Sequence, residues 1–173
     1  TRAFCNGLGV SRVSFAPIEL FEEMLEMRGN SKDKALALAR GFRVLSREKL
    51  RLFPFVKDIL IGLKERGAGV YLVSNAQVCF TKAELDELGI TELFDGILIS
   101  SDAGVKKPHG EIFEIAFRKF GLVEGECYYV GNDLHDDVLG ACGVGLKTVY
   151  IETEQSGKYP EIDAVPSFTV ETH

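Results

Sequence analysis

The chain has 173 residues, 46% of them hydrophobic and 27% charged, enough apolar material for one domain or one core with a small accessory lobe. Its formal charge is −6 and its pI near 5.2, with no Lys/Arg-rich run, which argues against a footprint on the nucleic-acid backbone. No apolar run approaches the ~18 residues of a membrane span.

The first fifty residues read as helical. Ala16-Pro17 followed by Ile18, Leu20, Phe21, Met24 and Leu25 predicts a helix with Pro in its first turn. Gly29-Asn30-Ser31 breaks it, with Ser31 as N-cap. A second helix is expected over Lys32 to Leu45, with Ala35, Leu36, Leu38, Ala39 and Phe42 as its apolar side. After Phe53-Pro54 strands and helices alternate. Val56, Ile59, Leu60 and Leu63 predict a helix closed by Gly67; strand Val70–Val73 follows, then a helix near Phe80–Leu88 stopped by Gly89. Strand Ile97–Ile99 precedes a helix over Ile112 to Phe120, stopped by Gly121. Strand Cys127–Val130 precedes a short helix to Cys142, followed by strand Lys147–Ile151 and a last strand near Ser167–Val170. Alternation of this kind means βαβ units in an α/β, three-layer parallel-sheet core of Rossmann-like type. Residues 1–50 form the helical unit and 51–173 the core.

The four cysteines, Cys5, Cys79, Cys127 and Cys142, form no CxxC pair. They read as reduced thiols of a cytoplasmic protein, with Cys127 and Cys142 in apolar surroundings. His109, His135 and His173 are too scattered for a zinc set, and none is assigned a ligand role.

Three polar signatures lie just past strand ends, the edge where open α/β sheets bind ligands. Ser74-Asn75 either closes a turn or offers a hydroxyl and backbone N–H groups to an anionic oxygen. No G-x-S-x-G elbow surrounds Ser74, so it is not read as a hydrolase nucleophile. Lys107 precedes Pro108, which keeps it out of helix; its ammonium is either solvated or neutralises phosphate charge, with Lys106 as its rival. Between Asn132 and Asp137 lie three carboxylates, Asp133, Asp136 and Asp137, which repel one another unless a cation or a lysine offsets them. Oxygen ligands without a thiolate or imidazole cluster favour a hard ion, Mg²⁺ above all. The alternative is helix capping by Asp133, with Asp136 or Asp137 in the first turn.

These segments resemble the haloacid dehalogenase superfamily of phosphohydrolases, from about Phe53 to Ile151. Leu72-Val73-Ser74-Asn75 is similar to its second motif, Ser100 through Pro108 with Ile112-Phe113 to its third, and Val130-Gly131-Asn132-Asp133 through Asp137-Val138-Leu139-Gly140-Ala141 to its acidic fourth. The helical unit sits where the family inserts its small cap. The resemblance implies that Ser74, Asn75 and Lys107 bind the phosphoryl group. It gives Lys107 and Asp137 catalytic roles, with Asp137 supporting Lys107 or a water. In the commonest fourth motif an aspartate follows the glycine; Asn132 stands there here, so Asn132 and Asp133 are expected near the metal.

The family's first motif, an Asp-x-Asp strand carrying the nucleophile, is absent from the 173 residues. The expectation is an incomplete chain with ~40–60 more residues upstream and a one-strand gap beside Val70–Val73, ~9–10 Å wide. The resemblance then implies a Mg²⁺-dependent phosphatase of a small phosphorylated metabolite, working through an aspartyl-phosphate, with residues 1–173 inactive alone. Rival readings are a non-catalytic phosphate- or partner-binding module, a phosphomutase, and a 2-haloacid dehalogenase. The last needs no metal and fits the acidic loop poorly.

Overall fold

The computed structural model describes residues 32–46, 50–154, 156–159 and 161–171. The helix expected over Ala16–Leu25, the Ser31 cap, Cys5 and His173 lie outside them. Internal packing divides the chain into two units, Thr1–Gly104 and Val105–His173.

In the first unit, helix α1 (Lys32–Ser46) and helix α2 (Val56–Glu65) precede strand β1 (Tyr71–Ser74) and helix α3 (Val78–Leu88). Strand β2 (Gly96–Ile99) and the short helix α4 (Ser100–Ala103) follow. The strands pair in parallel, from Tyr71 opposite Gly96 to Ser74 opposite Ile99. Asp95 secures the start of β1: its carboxylate accepts the Val70 N–H at 2.8 Å and the Lys64 ammonium at 2.6 Å, while its own N–H reaches the Val70 carbonyl at 2.7 Å.

Helix α1 forms where the apolar spacing predicts it, but its buried stripe is narrower than expected. Ala35 and Ala39 are fully covered, whereas Leu38 and Phe42 are 52% and 63% exposed. A contact with α3 covers a strip of small side chains and not the ≳100°-wide face of a helix seated on a full core. The apolar side of α2 likewise holds no buried residue.

The second unit contains helix α5 (Glu111–Phe120), strand β3 (Tyr128–Gly131), a π-helix over Leu134–Leu139 continued by Gly140–Cys142, and strands β4 (Lys147–Glu152) and β5 (Phe168–Glu171). The strands form a parallel sheet in the order β3-β4-β5. Reciprocal bonds between Thr148 and Ser167, N–H to hydroxyl at 3.1 Å in each direction, tie the start of β5 to β4. All pairing among these strands is parallel, as the alternating pattern predicts. The four expected strands are nevertheless split between a two-stranded and a three-stranded sheet.

One face of β4 is buried at Thr148 and Tyr150, as are Val138 and Ala141 of the helical turns that contact this strand. On the other face Tyr128, Val130, Phe168 and Val170 are about half exposed, although parallel strands are ordinarily covered on both sides. Cys79, Cys127 and Cys142 are free thiols. Cys142, expected in an apolar setting, is instead exposed, because it sits in the last helical turn before Gly143. Among the described residues no helix is long and apolar enough to cross a membrane.

Candidate functional site

In the first unit the loop after β1 is held from β2. Ser100 is completely buried; its hydroxyl donates to the Ala76 carbonyl and accepts from the Ala76 N–H, both at 3.1 Å. Ser101 Oγ accepts the Val78 N–H at 2.9 Å and satisfies one orphan donor of the first turn of α3. The Ser74 carbonyl closes the turn by accepting from the Ala76 N–H at 3.0 Å. No hydrogen bond engages the Ser74 hydroxyl among the described residues, and Asn75 is exposed at the tip. The turn-closing and anion-binding readings of Ser74-Asn75 are therefore compatible, since the backbone makes the turn and the hydroxyl takes no part in it.

In the second unit Lys107 and Asp137 meet. The Lys107 ammonium donates to Asp137 Oδ1 at 2.5 Å, and both side chains are about nine-tenths buried. The Lys107–Pro108 peptide is cis. Lys106, the rival, makes no ion pair among the described residues. The other Asp137 oxygen, Oδ2, accepts the backbone N–H groups of Asn132 at 3.0 Å and Asp133 at 3.1 Å.

Two glycines make this possible. A Cβ at position 131 would fall 2.4 Å from the Asp137 carboxyl carbon, so only Gly131 lets the carboxylate lie against the end of β3. A Cβ at position 140 would stand 2.9 Å from the Cα and carbonyl oxygen of Pro108. Gly140 thus brings the helical turns onto the Lys107-Pro108 segment.

Asp133 caps the π-helix, the alternative role considered for it. Its Oδ1 accepts the N–H groups of His135 at 2.9 Å and Asp136 at 2.7 Å, and its Oδ2 accepts the Tyr159 hydroxyl at 2.8 Å. Burial opposes ionisation of Asp133, but the bonds from Asp136, Tyr159 and His135 outweigh it and hold the carboxyl below its usual range. His135 Nδ1 lies 2.8 Å from Asp136 Oδ1, and one ligand atom each from Asp133, His135 and Asp136 falls within 4.8 Å of the others. Asn132 is exposed, its amide nitrogen 3.5 Å from Thr153 Oγ1.

These oxygens allow a test of fit for a hard divalent cation. Asp137 has both oxygens committed to four donors, Oδ1 to the Lys107 ammonium and the Tyr129 hydroxyl and Oδ2 to two backbone N–H groups, and is not available as a ligand. The Asn132 amide oxygen and the second lone pair of Asp133 Oδ2 are suitable donors at the strand end, the chemistry that Mg²⁺ requires.

Several residues of the site escaped the sequence reading. Tyr129 was an apolar strand residue, Ser100 and Ser101 followed a strand, and Tyr159 lay in an unassigned segment. Only Tyr129 carried a signal: it shares the parity of Gly131 along β3 and so faces the same side of the strand. A cleft of about 160 Å³, lined by residues of α1 and α3 including Arg40, Arg43, Cys79 and Phe80, contains none of the candidate residues.

Residues 11–145 match the haloacid dehalogenase-like hydrolase family. The chain is 31% identical over 143 residues to a ribulose-1,5-bisphosphate 5-phosphatase of Halopiger xanaduensis, covering 82% of this chain and 60% of that protein. It is 32% identical over 126 residues to a glyceraldehyde 3-phosphate phosphatase of Methanothermobacter thermautotrophicus, covering 71% and 56%. Among solved structures, a predicted phosphoglycolate phosphatase from Haemophilus somnus superposes with a TM-score of 0.67 at 25% identity, over 80% of this chain and 60% of the other. The chain thus spans less than two thirds of the length of each of these relatives. With the matched residues running from the helical segment through the acidic loop, the chain belongs to the haloacid dehalogenase-like hydrolases.

Proposed function

We propose that the chain is the phosphate-handling part of a cytoplasmic, Mg²⁺-dependent phosphatase acting on a small phosphorylated metabolite. The observation that carries this reading is the buried Lys107 ammonium, neutralised by Asp137 and held at a strand end. A cation kept out of water and fixed in direction stabilises phosphoryl oxygens far better than a solvated one. The relatives named above act, by their names, on phosphorylated sugars and acids of this size.

In this reading Lys107 holds phosphoryl oxygens, and Ser74 with Asn75 keep the phosphoryl-binding role that the family resemblance implies. Asn132 and Asp133 hold Mg²⁺, which when bound orients the phosphoryl group and neutralises its charge. Asp137 accepts from Lys107 and holds its ammonium in place. The nucleophile is the aspartate of an Asp-x-Asp strand supplied by a part of the protein outside residues 1–173, since the chain contains no such pair. Its carboxylate attacks phosphorus as the ester P–O bond breaks, the second aspartate of the pair protonates the departing alcohol oxygen, and water then hydrolyses the aspartyl-phosphate to free phosphate and the regenerated carboxylate. Helix α1 belongs to a helical cap that selects the substrate.

The complete protein should release phosphate from ribulose 1,5-bisphosphate, glyceraldehyde 3-phosphate or phosphoglycolate in a Mg²⁺-dependent manner, and Lys107→Ala should abolish release. Residues 1–173 alone should show no hydrolysis above background. Turnover by that fragment would show that the nucleophile lies within it. A complete protein that binds phosphate with no turnover would favour the non-catalytic module, and metal-independent release of halide from a 2-haloacid would favour the dehalogenase.

A further inference from the structure

We propose that Tyr129 is a positioning residue that aims the Lys107 ammonium. Its use in catalysis rests on the phosphatase reading, whereas its hold on Lys107 does not. The Tyr129 hydroxyl accepts from Lys107 Nζ at 2.8 Å and lies 3.2 Å from Asp137 Oδ1, to which it donates. With the 2.5 Å bond between Lys107 and Asp137, the three groups form a closed triangle. Each edge has a donor and an acceptor: the ammonium gives two protons, the phenol takes one bond and gives one, and the carboxylate only takes.

A lysine side chain has four rotatable bonds, and each acceptor set in a different direction narrows the swing of its ammonium. Tyr129 is itself fixed: its ring stands edge-on to the buried Phe113 at 83°, centroids 5.1 Å apart. Burial, then the charge and hydrogen bond of Asp137 and the charge of Asp136, hold the phenol well above its usual value. Tyr129 therefore keeps the proton it donates to Asp137 at neutral pH.

The substitution Tyr129→Phe retains the ring and its packing on Phe113 and removes only the hydroxyl. In the complete protein labelled with ¹⁵N-lysine, Lys107 should give a slowly exchanging ammonium signal, assigned by its loss in Lys107→Arg. In Tyr129→Phe that signal should shift and exchange faster while the backbone spectrum is preserved. An unchanged Lys107 signal would overturn the proposal. If the variant fails to fold, the wild-type protein decides: a protected Tyr129 hydroxyl proton with a cross-peak to the Lys107 ammonium supports it, and an unprotected one sinks it.

The kinetic arm asks whether the positioning is used. Lys107 binds phosphoryl oxygens in ground and transition states alike, so loss of its aim should raise KM by about tenfold to a hundredfold, with kcat within about threefold of wild type. A merely structural role would reduce the active fraction, lowering kcat at constant KM. Unchanged kinetics with an altered Lys107 signal would reject the catalytic use. A wild-type protein without phosphatase activity would sink the functional reading, while the lysine spectrum still decides the link between Tyr129 and Lys107.

Discussion

Asp137 and Asp133 stand four residues apart in one loop, yet their carboxylates serve different ends. Asp137 is saturated: an ammonium and a phenol hold one oxygen, and two backbone N–H groups hold the other. Asp133 spends its bonds on the first turn of the π-helix and on Tyr159. Because those bonds favour the ionised form, its pKa is lower in the folded state than the ordinary 3.8. A depressed folded value contributes stability above the unfolded pKa, and that contribution drains as pH falls from about 3.8 through the folded value. Asp133→Asn should keep the cap, since asparagine caps as well as aspartate, but lose the acid-sensitive part. In urea titrations the wild-type protein should exceed the variant at pH 6, and the margin should shrink below pH 4. A margin constant down to pH 3 would mean the charge of Asp133 is not linked to folding.

At the scale of elements, the fourth motif is a close-packing device as much as a chemical one. The π-helix and its continuation approach the Lys107-Pro108 segment through Gly140, where an added methyl would meet backbone atoms at 2.9 Å. Backbone yields less than the tip of a side chain, so Gly140→Ala should cost about 1–3 kcal/mol by overpacking. It should also push the Lys107 segment away from Asp137. Thermal denaturation and phosphate-ester kinetics together check this; an unshifted midpoint with normal KM would show that the segment gives way without consequence. Gly131 plays the matching part at the end of β3, beneath the Asp137 carboxylate. In the first unit Ser100 and Ser101 do comparable work for the loop after β1, Ser100 bonding both backbone polar groups of Ala76 and Ser101 taking the Val78 N–H.

For the molecule as a whole, the described residues leave more apolar surface in water than two-sided parallel strands imply. Tyr128, Val130, Phe168 and Val170 are 48–56% exposed on one face of β3 and β5, and Ile59, Phe53 and Phe55 are 57–74% exposed around α2. Apolar side chains exposed to this degree offer surface for hydrophobic contacts. Residues 1–173 should therefore bind a hydrophobic dye such as ANS under native conditions, and the complete protein much less. Equal dye binding by both would mean these faces stay in water in the parent protein as well.

Much of this architecture was written locally. Short apolar runs marked all five strands within a residue, three of them ending in Ser74, Ser100 or Gly131, and Gly89 and Gly121 ended their helices by taking the left-handed conformation, at φ 65° in each case. The order of Ser74, Lys107 and the acidic loop was enough to identify the family. The sequence alone left open whether Lys106 or Lys107 meets a carboxylate and whether Asp133 caps a helix, and it did not show that Tyr129 joins them. It also suggested a wider apolar contact for α1 and a covered Cys142, both of which the fold replaced. Periodicity and turn chemistry act between residues a few positions apart, so they can be read along the chain. The bonds of Lys107 to Asp137 and to Tyr129 span 30 and 22 residues; they depend on where strands end and how closely Gly131 and Gly140 allow backbones to approach, and only tertiary packing sets those distances.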